Sequence, residues 1–271
     1  MHNGKLLPEG ATPISPANRS FRFGDGLFET IRMSNGSLPL WSFHAHRLWK
    51  GMGLMKFELP KLFHPEKLEE DIQKTCHKNG LKNARIRLTV FRGDGGLYDP
   101  VNLHPNYIIE TWPLTEAIPL LNSNGLQTGF YEEGRKSIDA YSNVKSNNFL
   151  PYAMAALYAK EQQWNDAIIL NTFGRIADST MANIFWVKDD EVFTCPLSEA
   201  PIAGTMRKRI MEQEKVVEMP CSKEELLQSD EVFFTNAVRG IQWVAGIADR
   251  RGLANRVSSR LYQEIIVPLF S

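Results

Sequence analysis

The sequence predicts a two-domain α/β (α+β) protein, with a smaller α/β domain at the N-terminus and a larger one at the C-terminus. Three observations carry that expectation. Hydrophobic residues switch along the chain between strict alternation, the period of a half-buried strand, and three-to-four-residue spacing, the period of an amphipathic helix. The 271 residues can bury one substantial core or two modest ones, and 43% apolar with 23% charged residues is a globular composition. Finally, Pro113 to Gly125 holds two prolines and the cluster Asn122-Ser123-Asn124-Gly125, which reads as a linker at about 113–125 between domains 1–118 and 119–271.

The elements follow in order. Phe21-Arg22-Phe23 belongs to a segment of alternating strand-like and turn-like chemistry and leads into the tight turn Gly24-Asp25-Gly26. Leu27 to Met33 has strand character, and Ser34-Asn35-Gly36 reads as a hairpin turn before Ser37 to Leu40. A helix begins around His44, with Leu48, Met52 and Met55 on one face; His44 and His46 point apart there, which argues against a metal pair. Pro65 opens a second helix with Leu68, Ile72 and Cys76 at four-residue spacing. In Arg85 to Phe91 the alternation of Ile86, Leu88 and Val90 with charged and polar residues gives a half-buried strand. Arg92 to Pro100 is a glycine-rich loop, a turn rather than a phosphate cradle because no lysine or helix follows it. Tyr107 to Trp112 is a further strand.

Beyond the linker come a strand at Leu126–Tyr131, an alanine-rich helix from Pro151 to Gln163 and a short buried strand at Ala167–Leu170. Asn171 to Arg175 is a turn, and Ile176 to Val187 ends in a strand hairpinned through Lys188-Asp189-Asp190-Glu191 to Val192-Phe193-Thr194. Pro201 to Arg207 enters a helix whose small first residues leave backbone N–H groups open to an anion. Ser222 and Glu225 form a capping box, Glu231–Thr235 is a strand delivering the turn Asn236 to Gly240, and the last helix docks through Val257, Leu261 and Ile265.

Charge excludes some functions. Lys+Arg and Asp+Glu both number 31, so nothing favours nucleic acid or an anionic membrane. The three cysteines, Cys76, Cys195 and Cys221, are odd in number and lack metal-ligand spacing, so free thiols are expected. No signal core and no run of membrane-spanning length is present, and the expectation is a cytoplasmic protein.

Chemistry concentrates on Lys145, alone among small neutral residues in the stretch Tyr141 to Pro151. Taken alone, the stretch reads as a solvated surface lysine; the other reading, an amine that loses solvation and becomes nucleophilic, needs partners elsewhere in the chain. Partners elsewhere tip the balance. Asp178 offers a carboxylate, Arg47 a cation, and the turns Gly204–Met206 and Asn236–Val238 offer N–H groups. An amine, a carboxylate and an anion cradle are the parts a pyridoxal 5'-phosphate site needs.

In order and spacing these pieces resemble the class IV, or fold-type IV, pyridoxal-phosphate enzymes: branched-chain and D-amino-acid aminotransferases and 4-amino-4-deoxychorismate lyase. The resemblance spans essentially the whole chain. It runs from Gly24-Asp25-Gly26-Leu27-Phe28-Glu29-Thr30 through His44-Ala45-His46-Arg47-Leu48, the Lys145 stretch, Asp178 with Asn183-Ile184-Phe185, and Gly204-Thr205-Met206-Arg207. It implies a D-amino-acid aminotransferase-like fold, the cofactor pyridoxal 5'-phosphate at the junction of the two domains, a small-molecule amino substrate and a homodimer. It also implies roles. Lys145 forms the Schiff base and moves the proton. Arg47, Thr205, Met206 and Ala237 bind the phosphate, Asp178 contacts the ring nitrogen, and Ile202 packs on the ring. Phe28, Arg92, Val238 and Arg239 are the substrate-side candidates. Asn183 is structural support.

Two positions depart from the family. Asp178 stands where Glu is usual, one methylene shorter, and Ala237 stands where many relatives have threonine. Branched-chain aminotransferases usually carry a tyrosine five positions after the lysine; here it is Leu150. With the Lys-Ser-x-x-x-Leu pattern, Ala182 to Trp186, and Thr235-Asn236-Ala237, the resemblance leans toward aminodeoxychorismate lyase, which forms 4-aminobenzoate and pyruvate in folate biosynthesis. A branched-chain or D-amino-acid aminotransferase is the enzymatic alternative, and an inactive cofactor-binding scaffold, motivated by Asp178 and Ala237, is the non-enzymatic one.

Overall fold

A computed structural model describes residues 1–11, 13–98 and 102–271. The end of the expected glycine-rich loop, Asp99 and Pro100, lies outside the described residues. The chain forms two compact units: Met1–Ala117 with Val144–Phe149, and Ile118–Asn143 with Leu150–Ser271. A single cut at 118/119 therefore misses one segment, because Val144–Phe149 packs with the first unit. The Phe28 N–H donates to the Lys145 carbonyl at 2.9 Å, and the Asn147 N–H donates to the Gly26 carbonyl at 2.8 Å. Val144 lies against that unit's hydrophobic core.

In the first unit the chain runs α1 (Arg19–Phe23), β1 (Gly26–Met33), α2 (Trp41–Leu54), α3 (Pro65–Lys78), β2 (Ala84–Phe91) and β3 (Asn106–Pro113). Phe21-Arg22-Phe23, expected amid strand-like chemistry, lies in α1 instead. The Asn18 side chain accepts the N–H groups of Ser20 and Phe21, and Gly24 at φ 67° closes the other end. Two caps decide a segment this short against the aromatic preference for strands. Strands β1, β2 and β3 pair antiparallel in that order. Ser34-Asn35-Gly36 does turn, with a bridge from Ser34 to Ser37, but β1 pairs with β2 rather than with the residues after that turn.

Helix α2 starts at Trp41, earlier than His44, and buries Leu48 and Met52. Helix α3 has Pro65 in its first turn and buries Leu68, Ile72 and Cys76. With Ile86, Leu88 and Val90 of β2 these side chains form one core, each buried aliphatic group contributing roughly 1.5–3 kcal/mol.

The second unit contains β4 (Leu126–Lys136), α4 (Leu150–Glu161), β5 (Asp166–Asn171), β6 (Ile176–Ser179), β7 (Asn183–Lys188), β8 (Glu191–Thr194), α5 (Thr205–Gln213), β9 (Val216–Glu218), α6 (Lys223–Leu227), β10 (Glu231–Asn236), β11 (Gly240–Ile247), β12 (Arg250–Arg251) and α7 (Arg256–Leu261). The sheet order is β6-β5-β4-β11-β10-β7-β8-β9, with β12 beside β11. Strand β4 runs parallel to both neighbours, and β5 is buried along its whole length, as a strand covered on both faces requires.

Strand β4 outlasts the expected Leu126–Tyr131. It continues through a register shift between Tyr131 and Lys136 that sets Lys136 beside Asn171 of β5. The β7–β8 hairpin turns on Asp189 and Asp190, both at positive φ. The Ser222–Glu225 capping box at α6 is formed. After α7 the final helix continues through a π-helical turn, Tyr262–Ile266, into α8 (Val267–Phe270), with Val257, Leu261 and Ile265 buried. Among the described residues no helix is long and apolar enough to cross a membrane.

Candidate active site

In the first unit, β1 carries Phe28 and Glu29, α2 carries His44 and Arg47, and the returning segment carries Lys145. Glu29, 1% exposed, is the hub of a buried trio. The Arg47 Nε donates to Glu29 Oε1 at 2.8 Å, and Arg47 Nη2 pairs with Oε2. His44 Nδ1 lies 2.7 Å from Oε2. Burial opposes a charge on Glu29, but Arg47 and then His44 outweigh it and draw the carboxyl down to about 2. Burial holds the His44 pKa below its ordinary value despite the Glu29 contact, and the charges of Arg47 and Lys145 add to that. The neutral ring therefore donates Nδ1–H to the carboxylate, and Nε2 finds no partner among the described residues.

The Lys145 amine sits on an aromatic platform. Its Nζ is 4.4 Å from the Phe28 ring centroid and 5.1 Å from that of Phe149, and the two rings meet edge to face at 5.2 Å. Lys145 thus has two aromatic ring faces beside its amine, which attract an ammonium through their quadrupoles. Gly26 makes the backbone path possible: a Cβ there would stand 2.5 Å from Asn147 Nδ2 and 2.7 Å from the Val90 carbonyl.

Arg92, put forward as a clamp for a substrate carboxylate, is committed elsewhere. It is 6% exposed, pairs with Asp25, donates to the Met55 carbonyl and stacks 4.2 Å from the Phe57 ring centroid. Asp25 also accepts from Arg19 Nε at 2.7 Å, so the Gly24-Asp25-Gly26 turn is pinned by two arginines. Freeing Arg92 would leave Asp25 without one of its cations. A different arginine, Arg87 of β2, lies 4.0 Å from the centroid of the same Phe28 ring that Lys145 meets.

In the second unit the centre is Asp178 on β6, 1% exposed. Its Oδ2 accepts from Lys136 Nζ at 3.1 Å, Tyr152 OH at 2.8 Å and the Ile202 N–H at 2.8 Å. Its Oδ1 accepts from Asn183 Nδ2 at 2.8 Å. Asn183 also donates to the Ile202 carbonyl at 2.8 Å. Burial first, then the Asp178 charge, raises the Tyr152 pKa well above its ordinary value, so the phenol stays a donor. Burial lowers the Lys136 pKa while Asp178 pulls it upward.

Gly204 caps α5 without a side-chain cap hydrogen bond among the described residues, so capping does not use up the first backbone N–H groups of the helix, at Thr205 and Met206. It must be glycine, because a Cβ would fall 1.7 Å from Asn183 Oδ1. Ile202 and Ala237 are buried at 9% and 7% exposure. In the second turn the Asn236 side chain accepts the N–H groups of Val238 and Arg239 at 3.0 and 2.8 Å, so those two amides are spent within the turn. The Arg239 residue is exposed.

Sequence reasoning missed Lys136, Tyr152 and Phe149. Lys136 ends the run Glu132-Glu133-Gly134-Arg135-Lys136, which reads as a solvated charged stretch. Tyr152 sits in an alanine-rich helix, where a tyrosine reads as core. The hydroxyl and the amine gain meaning only from the carboxylate they meet.

With this geometry in place, comparison with known proteins is informative. A family profile described as amino-transferase class IV matches residues 26–247. An aminodeoxychorismate lyase from Vibrio harveyi is 28% identical over 249 residues, covering 89% of both chains. A putative branched-chain-amino-acid aminotransferase from Methanocaldococcus jannaschii is 29% identical over 247 residues, covering 88% of this chain and 84% of its own. The solved branched-chain amino acid aminotransferase of Escherichia coli shares the fold, with a TM-score of 0.87 at 24% identity over 100% of this chain and 93% of that one.

Proposed function

The chain belongs to the class IV aminotransferase family, and on that premise we propose that it is a 4-amino-4-deoxychorismate lyase, releasing 4-aminobenzoate and pyruvate. It is an enzyme of the pyridoxal 5'-phosphate-dependent kind. The residues present fit that group. Lys145 offers an amine beside aromatic rings, and the start of α5 lacks a side-chain cap. Thr235 Oγ1 is buried without a partner among the described residues, and Asp178 Oδ1 accepts from Asn183 while Oδ2 takes the other donors.

In this reading Lys145 holds the cofactor through its ε-amine. By the family resemblance, Arg47, the amides of Thr205 and Met206, and the turn at Ala237 would hold the phosphate, and Asp178 would meet the ring nitrogen with Ile202 against the ring. Bound there, the cofactor acts as an electron sink that acidifies the carbon bearing the substrate's amine. Lys145 removes the proton from that carbon. The neighbouring C–O bond breaks, the enolpyruvyl group leaves and takes up a proton to become pyruvate, and the ring becomes aromatic. By the same resemblance, Phe28, Val238 and Arg239 would face the substrate, while Arg92 keeps its place against Asp25.

One observation favours the lyase over a branched-chain aminotransferase. Five positions after Lys145 stands Leu150, which is 66% exposed and offers no hydroxyl, where the branched-chain enzymes use a tyrosine. The 28% identity to the Vibrio harveyi lyase over 89% of both chains supports the same reading. A transaminase is the second reading, supported by the Methanocaldococcus jannaschii relative.

The test is to incubate purified enzyme, loaded with pyridoxal 5'-phosphate, with 4-amino-4-deoxychorismate and, separately, with branched-chain or D-amino acids plus a keto acid acceptor. We expect 4-aminobenzoate and pyruvate in equal amounts. Keto acid formation without 4-aminobenzoate would replace the lyase by an aminotransferase, and neither product would point to a scaffold.

A further inference from the structure

The reading above leaves Lys136 without a task, although it is among the few buried charged groups of the second unit. Resting on the assignment of Asp178 to the ring nitrogen, we propose that Lys136 is a positioning residue that fixes the Asp178 carboxylate and tempers its pull on the ring proton.

The placement is built into the sheet. Strands β4, β5 and β6 lie side by side in that order. The register shift in β4 sets Lys136 beside Asn171 of β5, and Asp178 of β6 pairs with Ile169 of β5. The lysine side chain therefore reaches across a whole intervening strand, about 10 Å of sheet, to bring Nζ within 3.1 Å of Asp178 Oδ2. Lysine and arginine are the side chains that deliver a cation over that span, and the compact ammonium suits a pocket this closed. On the way Nζ passes 5.1 Å from the centroid of the Tyr152 ring, and the Tyr152 hydroxyl donates to the same oxygen.

Three donors converge on Oδ2 and fix the carboxylate plane, while Oδ1 receives the Asn183 amide. Asp178 favours the charged amine against the burial that opposes it. The effect of Lys136 is electrostatic. The site holds a neutral ion pair rather than a lone anion, and a carboxylate beside a cation is a weaker base toward any third partner. Stability alone gives little reason to keep such a pair, since apolar replacements of buried ion pairs are often neutral or better.

Other groups face the pair from the surrounding elements: Tyr152 from α4, Asp139 beyond the end of β4 and Cys195 after β8. They stay unchanged when Lys136 is replaced, so a shift on replacement reports Lys136 itself.

The experiment follows the visible absorbance of the cofactor in the loaded, full-length enzyme as a function of pH, for the wild type, Lys136→Met and Lys136→Arg. Removing a positive charge favours protonated forms of the cofactor, so the absorbance midpoint in Lys136→Met should rise by about one pH unit. Lys136→Arg, which keeps the charge, should titrate near the wild type. Should Lys136→Met not fold, Lys136→Gln carries the same expectation. A midpoint unchanged in a folded, cofactor-loaded Lys136→Met or Lys136→Gln protein would overturn the proposal and leave the enzyme's function standing. A wild type that develops no visible cofactor band would overturn the functional reading, and this inference with it.

Discussion

Lys145→Ala is expected to lower turnover by about 10³-fold or more while leaving the fold intact. The amine is asked both to hold the cofactor and to move a proton, and a positioned proton-transfer group alone is worth roughly 10²–10⁴ in rate. The structural cost is small by comparison. Lys145 is only half-buried, and its contacts with the Phe28 and Phe149 rings contribute about 1 kcal/mol each at most for a partly exposed ammonium. Its backbone bond to Phe28 survives the substitution. Activity should therefore collapse with a urea midpoint near that of the wild type. A loss of less than tenfold in the folded variant would remove Lys145 from the chemistry.

The buried trio of Glu29, His44 and Arg47 should make the first unit acid-sensitive. Glu29 is depressed from 4.5 to about 2, so its contribution is fully present above the unfolded pKa of 4.5 and is lost as pH falls from there toward 2. Its size is on the order of 3 kcal/mol. His44 works in the same direction from a higher pH. Its folded pKa lies below 6.5, so below pH 6.5 the unfolded chain takes up a proton that the native ring resists, and folding weakens.

Unfolding free energy measured in urea should therefore begin to fall below about pH 6.5 and fall further below about 4.5. Arg47→Met removes the cation and leaves the carboxylate buried beside a neutral imidazole, which should cost about 3–5 kcal/mol at pH 7. The variant should also lose the acid limb between 4.5 and 2, because Glu29 then has no reason to stay ionised. An Arg47→Met protein with wild-type stability and an unchanged acid limb would mean that the trio is not the source of either effect.

How much of this was legible in the sequence depended on how local the cause was. The face of α3, the alternation of β2 and the α6 capping box depend on residues within a turn or two of one another, and each formed as expected; in α2 Leu48 and Met52 share the buried face while Met55 lies past its end. The caps at Asn18 and Gly24 are just as local, yet two phenylalanines around Arg22 masked them. The site divides the same way. Lys145, Asp178 and Asn183 stood out because spacing tied them to known chemistry. Lys136 did not, because its partner lies 42 positions away and is reached only through the strand order and the register shift in β4. Arg92 looked available at the end of a strand. Its true partner, Asp25, is 67 positions off in a turn whose glycines drew the attention. Val144–Phe149 belongs to the first unit through hydrogen bonds to β1 that no local pattern announces.

The most direct test of the account is to reduce the cofactor-loaded enzyme with borohydride, digest it and locate the modified lysine by mass spectrometry. The account expects the pyridoxyl group on Lys145, with Lys136 unmodified because its amine is held in an ion pair. A pyridoxyl group on Lys136 or on any other lysine, with Lys145 untouched, would contradict it.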